Sequence, residues 1–331
     1  MSKPNIFRIA TKELSQDGFF TWLIQWADKS NKEYDKELHQ TAIDFVNLLT
    51  NNLMQISDVS AGRQWKNIDI WVELNDDTFI AIEDKTITGE HSEQLERYKQ
   101  IVTDHYKNKR NNLVFIYLKT GNESISTVDK IKEKGFTVID RKAVLSVLNR
   151  SKSENNIFTE FRDNLNEIET RTNSFNKFEN IVSDWKAAEG FFIKLQELIL
   201  PEWSDWRYVA NQTGGFLGFW YCWTGCDNYC LHIQIENALD YGIKLVIKID
   251  DWEPNIDTMY SALSKLHSDA KDIGLSIIKP DRFRAGETST LAIVENAFPV
   301  NSDGNIEITE FTKTLKKLED LLKKHSMDKK E

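Results

Sequence analysis

The 331-residue sequence contains little cysteine, proline or glycine and no long apolar run. Its three cysteines all lie within residues 222–230, so they cannot form a disulfide framework and they fit a reducing compartment. With 5 prolines, 14 glycines and 40% hydrophobic residues, the composition is that of a folded protein and excludes disorder. No apolar run approaches the roughly 18 residues that span a bilayer, and residues 1–5 do not lead into a signal-peptide core. We therefore expect a cytoplasmic protein without a membrane partner.

The sequence also lacks an excess of positive charge. It has 42 basic and 52 acidic residues, a net charge of −10. This argues against a protein that wraps nucleic acid indiscriminately, because such binding depends on neutralising phosphates. The charge is uneven: residues 1–150 contain 21 basic and 22 acidic side chains, and residues 151–331 contain 21 and 30. The first half could meet a polyanion locally, whereas the second is poorly suited to gripping a duplex.

The chain is about twice the size of a usual domain, which predicts two compact units. We expect a first domain over residues 1–150, a connecting helix over 151–175, and an α+β domain over 176–331 with a regulatory, recognition or dimerisation role. Neither internal repeats nor low-complexity segments interrupt this division.

Hydrophobic periodicity in the first half predicts the order α-α-β-β-β-α-β-α-β, a three-layer α/β arrangement. The first helix carries apolar residues at helical spacing from Phe19 to Ala27, with Ser15 as its expected N-cap. The later elements are expected over residues 33–51, 56–64, 68–74, 78–86, 91–106, 113–119, 126–134 and 136–140. The turn signal at 75–77 joins two of these strands as a hairpin.

The second half predicts an α+β unit. We expect one helix that contains both Phe178 and Phe192, followed by strand-rich sequence over 206–249. A helix over 258–271, strands over 275–280 and 290–298, and a terminal helix over 309–324 complete the unit.

Three charged residues on two predicted strands should converge. Since side chains alternate along a strand, Asp69 lies beside a core-forming face, and Glu83 and Lys85 share one face of the next strand. A hairpin between these strands can bring Asp69 close to Glu83. Asp84 should face the opposite way, as a supporting or surface charge. Two carboxylates and a lysine suit Mg²⁺-dependent phosphodiester hydrolysis, because Mg²⁺ binds carboxylate and phosphate oxygens and an ammonium can orient water or balance phosphoryl charge.

At these residues the sequence resembles the PD-(D/E)XK nuclease superfamily, and more closely its bacterial stand-alone members. The strand pieces are Ile68-Asp69 and Ala81-Ile82-Glu83-Asp84-Lys85. Two flanking segments match as well: an acidic N-terminal helix segment that begins at Glu13, and the Gln94-Leu95-Glu96-Arg97-Tyr98 segment of a following helix. The resemblance covers about residues 5–145. It implies a restriction-endonuclease-like three-layer core with a mixed central sheet.

The resemblance also implies roles for single residues. Asp69, Glu83 and Glu13 would bind the metal, Lys85 would activate or orient the attacking water, and Gln94 would support the site or contact phosphate. Asp17 is an alternative to Glu13, although it could instead favour the helix dipole. The sequence differs from the usual motif of the superfamily at two positions: Ile68 replaces the name-giving proline, and Asp84 replaces the commoner asparagine.

Other polar segments have simpler interpretations. Residues 105–110 form a small basic patch that could contact a DNA backbone or merely stabilise a helix C-terminus. Cys222, Cys226, Cys230 and His232 lack the usual spacing of a zinc site, so we favour structural cysteines around a hairpin turn at 224–228. The aromatic residues between 203 and 252 are more typical of packing than of base stacking.

The leading functional hypothesis is a Mg²⁺-dependent DNA nuclease, with Mn²⁺ as a substitute, that acts in bacterial defence against foreign DNA. The alternative is a catalytically silent nuclease-fold protein that recognises a partner or nucleic acid through its C-terminal domain. The retention of Asp69, Glu83 and Lys85 favours the enzyme. A homodimer, and a protein or small-molecule activator that binds the second half, are both compatible with the sequence.

Overall fold

The chain folds into two compact units in the computed structural model. The structure describes residues 4–51, 55–87, 89, 93–107, 109–110, 112–199, 203–211, 214–226 and 228–327, except the side chain of Cys226. One unit comprises Met1–Glu123 and Thr127–Thr170, and the other comprises Ser124–Ser126 and Arg171–Glu331. Within the described ranges, no helix combines the length and apolar composition needed to span a bilayer.

The first unit contains a five-stranded sheet and helices in the predicted order. Its elements are α1 (Glu13–Gln25), α2 (Lys36–Thr50), β1 (Val59–Trp65), β2 (Ile68–Leu74), β3 (Thr78–Lys85), α3 (Gln94–Tyr106), β4 (Asn112–Lys119), α4 (Ile125–Glu133), β5 (Thr137–Asp140), α5 (Arg141–Leu148) and α6 (Asn156–Thr172). The strand order is β1-β2-β3-β4-β5, antiparallel between β1, β2 and β3 and parallel between β3, β4 and β5. The mixed α/β class is therefore confirmed.

Apolar side chains cover both faces of this sheet. The larger cluster joins Ile70, Val72, Ile80 and Ile82 to residues of α1, α2, α5 and α6. A smaller cluster contains Phe79, Ala81 and residues of α3. The alternation of β2 is observed directly, since Ile68, Ile70, Val72 and Leu74 are buried and the residues between them are partly exposed.

Two features of this unit differ from the sequence-based expectations. Helix α1 begins at Glu13 rather than after Ser15, and its N-cap is Lys12, whose side chain makes no capping bond. The predicted order also omitted α5, which Asp140 caps by accepting a hydrogen bond from the Ala143 backbone. Helix α6, in the segment predicted to connect the domains, contributes Phe158, Phe161 and Leu165 to the larger cluster.

The second unit is an antiparallel six-stranded sheet with helices against its apolar face. Its elements are α7 (Phe178–Ser183), α8 (Trp185–Ile199), β6 (Ser204–Val209), β7 (Phe216–Cys226), β8 (Tyr229–Ala238), β9 (Gly242–Asp251), α9 (Ile256–Asp272), β10 (Ile277–Ile278), β11 (Thr288–Val294) and α10 (Ile308–Met327). The strand order is β10-β11-β9-β8-β7-β6. This is the predicted α+β composition.

The prediction of one continuous helix through Phe178 and Phe192 was wrong. Asp184 has an extended backbone and separates α7 from α8. Its carboxylate accepts hydrogen bonds from the Lys186 backbone and from Arg171, so it ends one helix and begins the next.

Candidate active site

Asp69 and Glu83 are brought together by the hairpin of β2 and β3. The strands pair Ile70 with Ile82, and continuing that register by one residue sets Asp69 opposite Glu83. The turn at Asn75 and Asp76 uses positive φ angles, which asparagine and aspartate tolerate better than other residues with a side chain. The structure thus gives the convergence that strand alternation predicted.

Lys85 lies among three carboxylates. Its Nζ contacts Glu83 Oε1 and is 4.0 Å from both Asp69 Oδ2 and Glu13 Oε2. The lysine side chain is 8% exposed, and that of Glu83 is fully buried. Burial alone would lower the pKa of Lys85, but the negative charges of Glu83, Asp69 and Glu13 outweigh it and raise the pKa. Lys85 is therefore a cation at neutral pH.

Glu13 reaches this group from the first turn of α1. Its Oε1 accepts a hydrogen bond of 3.2 Å from the Thr86 backbone, immediately after β3. This contact ties the start of α1 to the end of the strand that carries Glu83 and Lys85. Glu13, rather than Asp17, is the acidic residue of α1 within ion-pair distance of Lys85.

Glu83 has an unusual electrostatic environment. Burial and the nearby Asp69 charge raise its pKa to about 8, although Lys85 acts in the opposite direction. Its Oε2 atom is buried and accepts no hydrogen bond from any described residue. An orphaned carboxylate oxygen of this kind is costly unless a proton or a cation satisfies it.

Gln94 stands at the start of α3 and contacts Tyr98 one turn later. The Gln94 amide donates a 2.6 Å hydrogen bond to the Tyr98 hydroxyl, which donates to the carbonyl of Asn67 at 2.6 Å. Burial raises the pKa of Tyr98, and the charges of Glu83 and Asp69 add to this effect. Tyr98 therefore joins Gln94 to the β1–β2 turn, a contact that the resemblance of the Gln94–Tyr98 segment did not predict.

Asp84 is not a surface charge, which corrects one of the two roles predicted for it. It is completely buried, and its Oδ1 accepts a 2.6 Å hydrogen bond from Gln16. Its backbone N–H donates to Asp69 Oδ2 at 3.1 Å, so it supports the site from the opposite face of β3.

Asp84 is paired with Asp17 of α1. Asp17 Oδ1 and Asp84 Oδ2 are both buried, and neither accepts a hydrogen bond from an N–H or hydroxyl group of a described residue. The two carboxyl groups hydrogen-bond each other, and burial raises the pKa of both, so one of them carries a proton. Arg63 faces the outer oxygen of Asp17 at 3.6 Å. The alternative role of Asp17 in the helix dipole is thus replaced by a buried acid pair.

The donor set of the site fits a hard cation only in part. Asp69, Glu83 and Glu13 supply oxygen atoms, the ligand type that Mg²⁺ prefers, and Glu83 Oε2 accepts no hydrogen bond from the part of the chain that the structure describes. In the described part of the chain, however, no three histidine, cysteine or acidic side chains are grouped closely enough to hold a metal unaided. Lys85 occupies the space between the carboxylates. Water and substrate oxygens would complete the ligand set.

The basic patch and the cysteine–histidine group are the remaining sequence motifs. Arg110 of the basic patch is 11% exposed and pairs with Glu73 at 3.0 Å. Cys222 and Cys230 are free thiols, and His232 Nδ1 faces Asp250 at 2.9 Å. The side chain of Cys226 lies outside the described residues, so the choice between structural cysteines and zinc stays a prediction. Residues 226 and 229 pair across the predicted β7–β8 hairpin.

The family comparison covers the unit that contains this site. A family model described as the PD-(D/E)XK nuclease superfamily matches residues 4–176, just over half of the chain. The match reaches beyond β5 and includes all of α6. No curated protein and no solved structure gives a significant match. The five-stranded mixed sheet is consistent with a restriction-endonuclease-like core.

Proposed function

We propose that this chain, which belongs to the PD-(D/E)XK nuclease superfamily, is a metal-dependent nuclease that hydrolyses phosphodiester bonds in DNA. The observation that supports this most directly is the arrangement around Lys85, whose ammonium group meets the carboxylates of Asp69, Glu83 and Glu13. Carboxylate oxygens and a fixed cation at one point suit the hydrolysis of a charged ester.

Asp69, Glu83 and Glu13 would hold Mg²⁺, with Mn²⁺ as a substitute. Such an ion, when bound, lowers the pKa of water and offsets the charge of the phosphate. The buried Glu83 Oε2, which has no donor among the described residues, supports this assignment. Thr86 would keep Glu13 in position through its backbone N–H.

Lys85 would orient the attacking water and stabilise the phosphoryl oxygens. Its raised pKa keeps it protonated, so it donates hydrogen bonds and does not accept a proton from water. Charge that builds on the phosphoryl oxygens in the transition state would then meet a preorganised ammonium. Gln94 would support the site through Tyr98, which holds the β1–β2 turn at Asn67.

The second unit would regulate or direct the nuclease. Residues 171–331, which make up nearly all of this unit, carry 25 acidic and 19 basic side chains, and this excess favours a protein or small-molecule activator over duplex DNA as its ligand. A homodimer would supply two sites for double-strand cutting. We place the activity in bacterial defence against foreign DNA by analogy with stand-alone members of the superfamily, which is an argument from fold alone.

The test is cleavage of linear, circular and single-stranded DNA by the purified full chain with Mg²⁺, Mn²⁺ or EDTA. We expect metal-dependent cutting that Asp69→Asn and Lys85→Met abolish and that Lys130→Met, on an exposed part of α4, leaves intact. Cutting that survives both site variants would contradict the assignment.

A folded protein that never cuts would point to the silent binding protein or to a missing activator. Calorimetry with Mn²⁺ separates these two. Binding that Glu83→Gln removes indicates a gated enzyme, whereas no binding at any concentration favours the silent protein.

A further inference from the structure

A group of basic side chains lies at the β1–β2 turn, just before Asp69, and at the end of α3, and we name it the cationic ridge: Lys66, His105, Lys107 and Lys109. Its three lysines are exposed, and none has an ion-pair or hydrogen-bond partner for its side chain among the residues that the structure describes. Lys66 Nζ lies 5.0 Å from the ring centroid of Trp65, and that ring meets His105 edge-on at 5.1 Å. Burial and then the charges of Lys109 and Lys66 lower the pKa of His105.

The positive charge of the ridge is not typical of this unit as a whole. Residues 1–150 are almost neutral in total. Arg110, one residue from Lys109, is paired with Glu73 at 3.0 Å and faces Asp76 at 3.6 Å. Local acids thus neutralise the arginine but leave the three lysines free for an external anion.

The hairpin of β1 and β2 connects the ridge to the site. Its turn residues Lys66 and Asn67 have positive φ angles of 51° and 69°, and Gln64 has one of 57°. Positive φ angles at Lys66 and Asn67 are the geometry of a two-residue hairpin turn, here between the paired residues Trp65 and Ile68. Gln64 donates to Asp69 Oδ1 at 3.4 Å, and the Tyr98 hydroxyl holds the Asn67 carbonyl. One rigid hairpin therefore carries both Lys66 and Asp69.

We propose that the cationic ridge binds the phosphate backbone of a nucleic-acid strand beside the bond that is cut. This inference rests on the proposed nuclease function and adds the surface that holds the flanking strand. Lys66 is three residues from Asp69, in the turn that leads into β2. No ridge residue is among the described ion-pair partners of Asp69, Glu83, Glu13 and Lys85, so the ridge would meet a flanking phosphate and not the scissile one.

The test compares two triple variants with the same charge change. One replaces Lys66, Lys107 and Lys109 by glutamine. The matched control replaces three other exposed lysines of this unit, Lys130, Lys142 and Lys152, by glutamine. Binding of duplex and single-stranded oligonucleotides is measured in EDTA from 50 to 200 mM salt, and cleavage is measured with Mg²⁺ or Mn²⁺.

We expect the ridge variant to lower the slope of log K against log salt by about 2 to 3, close to one per lost phosphate contact. Its KM for DNA should rise by about tenfold or more, with kcat nearly unchanged, and the control should match the wild type in both assays. Cleavage should also weaken for substrates that end close to the cut on the side that the ridge binds.

The outcomes separate the ridge from the chemistry. If the wild type cuts DNA and both triple variants behave alike, the ridge does not bind the substrate and the nuclease assignment still holds. If none of the proteins cuts DNA but the ridge variant alone loses salt-dependent binding, the proposal for the ridge is supported and the proposed nuclease activity is contradicted. A wild type without salt-dependent binding overturns the ridge.

Discussion

Lys85 has surroundings that restrict its chemistry to that of a fixed cation. Replacing it with methionine keeps most of the volume but removes the charge that the three carboxylates surround. We expect cleavage to fall by about 100-fold or more, comparable to the loss of one preorganised donor to a transition-state oxyanion. Metal binding should persist or tighten, because the ammonium no longer competes for the carboxylates. Single-turnover cleavage and calorimetry with Mn²⁺ measure the two effects.

Lys130→Met serves as the control for this prediction, because Lys130 is exposed and forms no described ion pair. A Lys85→Met protein that loses metal binding together with cleavage would show that the lysine only holds the carboxylates in place.

Asp84 offers a sharper substitution, since an asparagine can replace the protonated member of its pair with Asp17. Its amide oxygen can accept from Gln16 as Asp84 does now, and its amide nitrogen can donate to Asp17. The raised pKa of both acids means that the pair contributes stability at low pH that is lost as the pH rises through the folded-state pKa. Asp84→Asn should therefore raise the melting temperature increasingly at higher pH and preserve cleavage.

Asp84→Leu is the companion variant, because it removes the hydrogen bonds and keeps the volume. It should destabilise the fold, since it leaves Asp17 and Gln16 without a partner at this position. Equal melting curves for the two variants would contradict a proton shared by the acid pair.

The chemistry of β2 and β3 was largely predictable from local pattern. Alternation gave the faces of Asp69, Glu83 and Lys85, because it depends only on the geometry of a strand. The burial of Asp84 was not predictable in this way, since its partner Asp17 is 67 positions earlier in the chain. From the sequence alone, a buried acidic residue on a strand cannot be distinguished from an exposed one, because the residues that pack opposite it are not known.

The loop after β4 is a tightly packed support for the site. A Cβ added to Gly121 would come within 1.8 Å of the Thr86 carbonyl oxygen, and Thr86 holds Glu13 through its backbone. We expect Gly121→Ala to destabilise the protein by about 1–3 kcal/mol and to weaken metal binding and cleavage together. Chemical denaturation and Mn²⁺ calorimetry measure these effects.

Gly18 of α1 gives the contrasting case. A Cβ there would have only Arg63 Nη1 nearby, at an ordinary contact distance of 3.7 Å. Gly18→Ala should stabilise the protein by about 0.5–1 kcal/mol, because the site is helical in the folded protein and alanine has less conformational freedom than glycine in the unfolded chain. Similar stability losses in both variants would contradict the packing argument.

The helices and strands were predictable to the extent that their periodicity was strong. Strand β2 was predicted with its observed ends, and β4 within one residue. Helix α5 was missed because its eight residues directly follow a four-residue strand, although Asp140 provides an N-cap signal. The break at Asp184 was missed because apolar residues continue at helical spacing on both sides of it, and only the bonds of its side chain mark the boundary.

Stability of the complete chain should depend on pH in two opposite ways. In both units, some carboxyl groups have a lowered pKa, among them Asp28 and Asp184, where hydrogen bonds outweigh burial. Such groups contribute stability above their ordinary pKa near 4 that is lost as the pH falls through the folded-state value. Glu83 acts in reverse: its pKa of about 8 means that its contribution is complete below about pH 4 and is lost as the pH rises towards 8.

Metal addition should therefore stabilise the protein more at high pH than at low pH. Below about pH 8 a divalent ion competes with the proton on Glu83, and above it the ion meets a buried carboxylate that lacks a donor. We expect the rise in melting temperature caused by Mg²⁺ or Mn²⁺ to grow between pH 6 and pH 9, as measured by calorimetric scans at fixed ionic strength. Glu83→Gln should abolish that growth, because an amide does not titrate, while the stability lost on acidification, which arises from carboxylates such as Asp28 and Asp184, should remain. A metal effect that is independent of pH in the wild type would exclude Glu83 as a ligand.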